Sequence, residues 1–193
     1  MKNILALAVM AIVLTALPSK TIAAPNEPTP YIGVYYLKSN FTGADTQGMH
    51  DEYGPGIRGG LESAKRIFAY EVSYFETKWE SGPTEQSLSG LTFDVKLSLP
   101  ISDLLTPYGF AGVGNYVLHT SDTVIYRGGD YYFGYKFNGF QLGGGFEIHL
   151  SKYFTLNVGY TKRRILFDQG TSDANALHAQ AITYDVGLNL HVP

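Results

Sequence analysis

The stretch that most constrains this chain is Ala181 to Val192. Large apolar residues take every second position: Ile182, Tyr184, Val186, Leu188, Leu190 and Val192. Thr183, Asp185, Gly187, Asn189 and His191 stand between them. A period of two is a β-strand with one apolar and one polar face. The alternation holds over all twelve residues, and a tilted membrane-spanning strand needs about 9–11. A strand needs neighbours, so the rest of the chain must supply the sheet that this segment closes.

The first residues have a different character. Lys2 gives a positive start, Ile4 to Leu17 is an apolar run, Pro18 breaks it, and small residues follow at Thr21, Ala23 and Ala24. This is the layout of a secretory signal peptide over residues 1–23, with cleavage after Ala23. Residues 24–193 then form one domain. No later segment approaches the roughly 18 consecutive apolar residues of a transmembrane helix. Yet 15 Tyr, 11 Phe and 22 Gly accompany only 16% charged residues. That mixture suits an all-β protein whose outer face meets lipid. The net charge of −3 lacks the basic clustering that a nucleic-acid partner calls for. With no cysteine, there is no disulfide and no thiolate chemistry.

The alternation predicts eight strands: Tyr31–Ser39, Gly54–Ser63, Arg66–Lys78, Leu88–Leu99, Pro107–Thr120, Tyr131–Leu150, Tyr153–Leu166 and Ala181–Val192. Short turns are expected near residues 64, 103 and 151, and longer loops at Asn40–Tyr53, Trp79–Ser87, Ser121–Asp130 and Phe167–Ala179. Short turns at one end and long loops at the other is the asymmetry of an outer-membrane barrel. A soluble eight-stranded barrel of lipocalin type would show the same period with its apolar face inward around a ligand. Here the face opposite the large apolar residues is Gly, Ser, Thr, Asn and a few charges, which fit a narrow filled interior. The apolar face is therefore assigned to the outside. In hydrocarbon every backbone N–H and C=O needs an internal partner, so the last strand must pair with the first.

Three motifs carry a family resemblance. Pro107-Tyr108-Gly109-Phe110-Ala111-Gly112-Val113-Gly114, then Phe140-Gln141-Leu142-Gly143-Gly144-Gly145-Phe146-Glu147 with Leu150-Ser151-Lys152, then Leu156-Asn157-Val158-Gly159-Tyr160 resemble strands of the small outer-membrane β-barrel proteins, the family of the OmpA transmembrane domain and OmpX. Asp185, Gly187, Leu190 and Val192 resemble that family's C-terminal assembly signal. The resemblance implies an antiparallel transmembrane β-barrel with short periplasmic turns and longer extracellular loops. It also implies outer-membrane lipid, or lipopolysaccharide, and the barrel assembly machinery as partners.

The candidate sites follow from the faces. Arg58, Glu71, Asp94, Lys96, Glu147 and Asp185 are expected inward as a lumen polar network. They would either fill the barrel or line a narrow pore. Tyr31, Tyr36, Tyr108, Tyr126, Tyr131, Tyr132, Tyr153 and Tyr160 are expected at the headgroup boundary as an aromatic girdle. Tyr126, Arg127, Tyr131 and Tyr132 are an alternative contact for sugar or lipid A. His119-Thr120-Ser121-Asp122 raises an outer-membrane lipid-A-modifying enzyme, but a triad needs groups that converge in space. Asp45, His50, Asp51 and Glu52 are expected on a solvated acidic loop and lack metal-ligand spacing. The expectation is a barrel without catalytic residues, metal or cofactor, working as a scaffold for envelope integrity or for surface interaction through its loops. A narrow permeability pore, a lipid-modifying enzyme and a soluble binder are the alternatives.

Overall fold

The structure is a computed structural model and describes residues 27–42, 52–81, 84–120, 133–167 and 178–192. The signal peptide expected at residues 1–23 lies outside them. The strands are β1 (Thr29–Thr42), β2 (Glu52–Glu62), β3 (Phe68–Ser81), β4 (Thr84–Ser98), β5 (Leu105–Thr120), β6 (Phe133–His149), β7 (Phe154–Phe167) and β8 (His178–His191). They form one closed antiparallel barrel in sequence order. β8 pairs with β1 in unbroken register from Tyr31↔His191 to Thr42↔Gln180. The β2–β3 ladder is less regular: after Tyr53↔Lys78 it resumes only at Gly56↔Phe75. The interruption falls at Gly54-Pro55, and Pro55 has no N–H to give.

Alternation decides which way each side chain points. Ile32, Val34, Ile57, Val72, Phe93, Val95, Leu142, Val186 and Leu188 are all on the outside and exposed. Such a surface, apolar on every strand, is the face of a barrel that sits in lipid. The polar face is buried inside, which removes the lipocalin-type arrangement.

Several strand limits differ from those expected. β3 runs on to Ser81 and β4 begins at Thr84, so most of the expected 79–87 loop is strand. β1 reaches Thr42 and β2 starts at Glu52. Glu52 is therefore not on a solvated loop: it is buried inside the barrel and accepts a hydrogen bond from Thr77 at 2.5 Å. Asp45, His50 and Asp51 lie outside the described residues. Leu150, expected outward, is buried where the chain turns after β6.

The β2–β3 turn is unusual. Lys65 and Arg66 both adopt left-handed backbone, with φ of 66° and 57°, a region that L-residues enter at a cost of roughly 1–2 kcal/mol each. Arg66 does not open β3 as the alternation suggests. It belongs to the turn (Ala64–Arg66), and its buried side chain returns to the barrel mouth, 3.6 Å from Glu62.

Candidate functional site

The lumen is the feature the fold builds most carefully, and it is filled in three levels. At the loop end Leu37, Phe75, Leu88, Tyr116 and Ile165 pack with Tyr35 into an apolar cluster. The Phe75 and Tyr116 rings are 6.2 Å apart. The Arg163 guanidinium lies 4.6 Å from the centre of the Phe75 ring, so the underside of the cluster is cationic.

The middle level is ionic. Arg58 pairs with Asp185 at 2.9 Å and lies 3.8 Å from Glu71. Glu71 also accepts hydrogen bonds from Tyr31 at 2.8 Å and from Ser73 at 3.1 Å. Asp94 accepts from Thr92 at 3.0 Å and from the Gln141 amide at 2.6 and 2.8 Å. The other end of that amide accepts from Arg163 Nε at 2.9 Å. Arg163 also donates to Thr183. Charges buried this deeply persist only when paired and hydrogen-bonded. A cavity of about 40 Å³ remains between Arg58, Asp94, Lys96, Gln141 and Asp185. By volume this is room for a few water molecules rather than a passage.

The turn end closes the barrel. Lys96 donates to Glu147 at 2.6 Å, and its ammonium lies 5.3 Å from both the Tyr31 and Tyr108 ring centres. Below it runs a chain of buried polar groups. Thr106 meets His149 at 3.1 Å, His149 meets Thr155 at 2.9 Å, and Thr155 meets His191 at 3.0 Å. His191 lies 3.7 Å from Glu62, beside Arg66.

The six polar residues expected in the lumen, Arg58, Glu71, Asp94, Lys96, Glu147 and Asp185, all point inward. The aromatic assignment needs correction. Tyr31 is only 4% exposed, and Tyr108 lines the cavity. Both are interior residues that clamp Lys96, because β1 turns Tyr31, Gly33, Tyr35 and Leu37 to the same side and β5 turns Tyr108, Phe110 and Tyr116 inward. Tyr36, Tyr153 and Tyr160 face outward, Tyr36 with 58% of its surface exposed. Tyr126, Arg127, Tyr131 and Tyr132 lie outside the described residues, as do Ser121 and Asp122. His119 and Thr120 belong to β5. Among the assembly-signal residues, Asp185 and Gly187 face in, while Leu190 and Val192 face out.

Gln141, Arg163 and Arg66 are not among the residues expected in the lumen, whereas Glu62, His149 and Phe75 fall on the polar face of their strands in the sequence and are buried. The inward aromatics of β5, Tyr108, Phe110 and Tyr116, are hidden by the glycines that interrupt its alternation. A signal for those exists in neighbouring strands, because inward glycines make the room. A Cβ on Gly56 would sit 2.3 Å from Tyr35, one on Gly143 2.5 Å from Phe110, and one on Gly139 2.9 Å from Tyr116.

Comparison with known proteins agrees with this architecture. Neisserial surface protein A shares 13% identity over 83% of this chain and 96% of its own, with a TM-score of 0.67. Ail, the attachment invasion locus protein of Yersinia pestis, shares 13% over 86% and 99%, with a TM-score of 0.58. OprH of Pseudomonas aeruginosa shares 17% over 85% and 99%, with a TM-score of 0.55. At these identities the likeness is one of fold. No curated protein matches the chain. The family described as the outer membrane protein beta-barrel domain matches residues 6–189, nearly the whole length. This chain is an integral protein of the bacterial outer membrane and belongs to the outer membrane protein beta-barrel family.

Proposed function

We propose that this barrel is a non-enzymatic scaffold with a plugged lumen, serving envelope integrity or surface interaction through the loops that connect its strands at the end opposite the short turns. One observation carries the reading. The interior is occupied from end to end, by an apolar cluster, then a paired ionic layer, then the Lys96–Glu147 and Glu62–Arg66 closure. Eight strands give an interior just wide enough for side chains, and the inward glycines let aromatic rings occupy what space remains. A channel would need a continuous polar path, whereas the loop-end level is filled by the apolar cluster, with Glu52 and Thr77 buried against it and hydrogen-bonded to each other. On this reading the inward charges hold one another in place and take no part in transport, and recognition falls to the connections at that end.

Liposome swelling in small sugars tests it. Reconstituted protein whose gel band shifts on boiling, the sign of a folded barrel, should leave swelling at the rate of protein-free vesicles. Swelling that scales with protein content would favour the permeability role instead. The lipid-modifying alternative is tested by His119→Ala and Ser121→Ala, which should leave lipid A chemistry unchanged in cells carrying them.

A further inference from the structure

The outer face of β7 carries a contradiction. Phe154, Leu156, Val158 and Tyr160 face lipid, as they should. The next two outward positions are Lys162 and Arg164, both exposed. Their cross-strand neighbours are neutral. Lys162 lies between Leu142 on β6 and Ile182 on β8, and Arg164 between Phe140 and Gln180. No carboxylate adjoins either one among these neighbours, in contrast to β3, where outward Lys78 is 3.7 Å from outward Glu76. Two cations on a lipid-facing surface, with apolar residues on most sides, need a counter-charge from outside the protein.

Their height says what that counter-charge is. Ten residue steps separate Phe154 from Arg164. At about 3.3 Å per residue and a tilt near 40°, this is roughly 25 Å of height, the usual height of the apolar band of such barrels. Phe154 follows the short turn, so Lys162 and Arg164 stand at the opposite, outer-leaflet boundary. Beneath them, on the apolar face, Tyr160 and Tyr184 meet edge to face with ring centres 5.6 Å apart, and a Tyr has an apolar body for the acyl region and a polar tip. Two residues apart on one face of a strand, the side chains are separated by about 7 Å. An ammonium and a planar guanidinium at that spacing suit phosphate oxygens, which the guanidinium can take two at a time.

We infer that Lys162 and Arg164, above the Tyr160–Tyr184 pair, form a binding site for the phosphate groups of lipid A in the outer leaflet. The ligand's acyl chains would lie down the apolar face of β6, β7 and β8, over Leu142, Val158 and Val186. The site depends on the membrane placement of the barrel and is independent of whether the lumen conducts.

The test uses the full barrel in detergent, with bound lipid quantified by native mass spectrometry. The ligands are bisphosphorylated lipid A and its dephosphorylated form. Wild-type protein should retain the bisphosphorylated lipid at least tenfold better, the scale of losing one charge-assisted contact. Lys162→Gln/Arg164→Gln should lose that preference while keeping the boiling-dependent band shift. Lys78→Gln, on a sector where the cation already has a carboxylate, should behave as wild type. Equal retention by the double variant overturns the site, as does equal binding of the two lipids. Displacement by millimolar inorganic phosphate would assign the cations to a soluble anion and overturn the lipid assignment.

Discussion

At the scale of single residues, burial without solvent makes each interior charge depend on its partner. Lys96 and Glu147 are 2.6 Å apart and both buried. Removing one partner strands the other. Glu147→Gln should therefore cost about 3–5 kcal/mol, seen as a lower urea midpoint in detergent. Lys96→Met/Glu147→Leu should recover most of the loss, since an apolar pair of similar volume is often neutral. The glycines act in the opposite sense. Gly114→Val places carbon where the Tyr116 ring lies, an overpacking of about 1–3 kcal/mol. Tyr116→Leu in the same chain should relieve it; if the two losses simply add, the ring is not what the glycine accommodates. The six lumen charges were legible in the sequence because they fall in phase with the polar positions of clear strands. Tyr31 and Tyr108 were not. Tyrosine serves equally well at a headgroup boundary and inside a barrel opposite glycine, and only cross-strand register tells the two apart.

At the scale of elements, the strands with clean alternation were legible almost to their ends, because period two is a property of one segment. Register is a property of two, and two features escaped for that reason. The β1–β8 seam is continuous, as closure requires, and the ladder interruption falls instead at Pro55, between β2 and β3, where no periodicity announces it. The other feature is the β2–β3 turn. No glycine marks it, although Lys65 and Arg66 both have positive φ. The strain is offset by what the conformation achieves, which is to bring Arg66 back to Glu62 at the mouth. Lys65→Gly keeps that return and removes a left-handed side chain. It should raise stability by roughly 1 kcal/mol, whereas Arg66→Ala should lower it by leaving Glu62 buried without its cation. Heat-shift midpoints of the two variants should move in opposite directions.

At the scale of the whole molecule, closure and filling are distinct achievements. Closure follows from the bilayer, where an open edge would leave a row of backbone groups unpaired. It was foreseeable from the lipid-facing pattern alone. Filling depends on three-dimensional coincidences that no single strand displays, such as Phe75 of β3 meeting Tyr116 of β5, or Gln141 of β6 joining Asp94 to Arg163. Fold does not fix function. On the proposed reading, the filled lumen is what separates a scaffold from a conduit. Single-channel recording in a planar bilayer measures it most directly. Band-shifted, folded protein should give a flat trace at applied voltages of either sign. Discrete, reproducible conductance steps from the same preparation would contradict a lumen plugged by Phe75, Tyr116 and the Lys96–Glu147 pair.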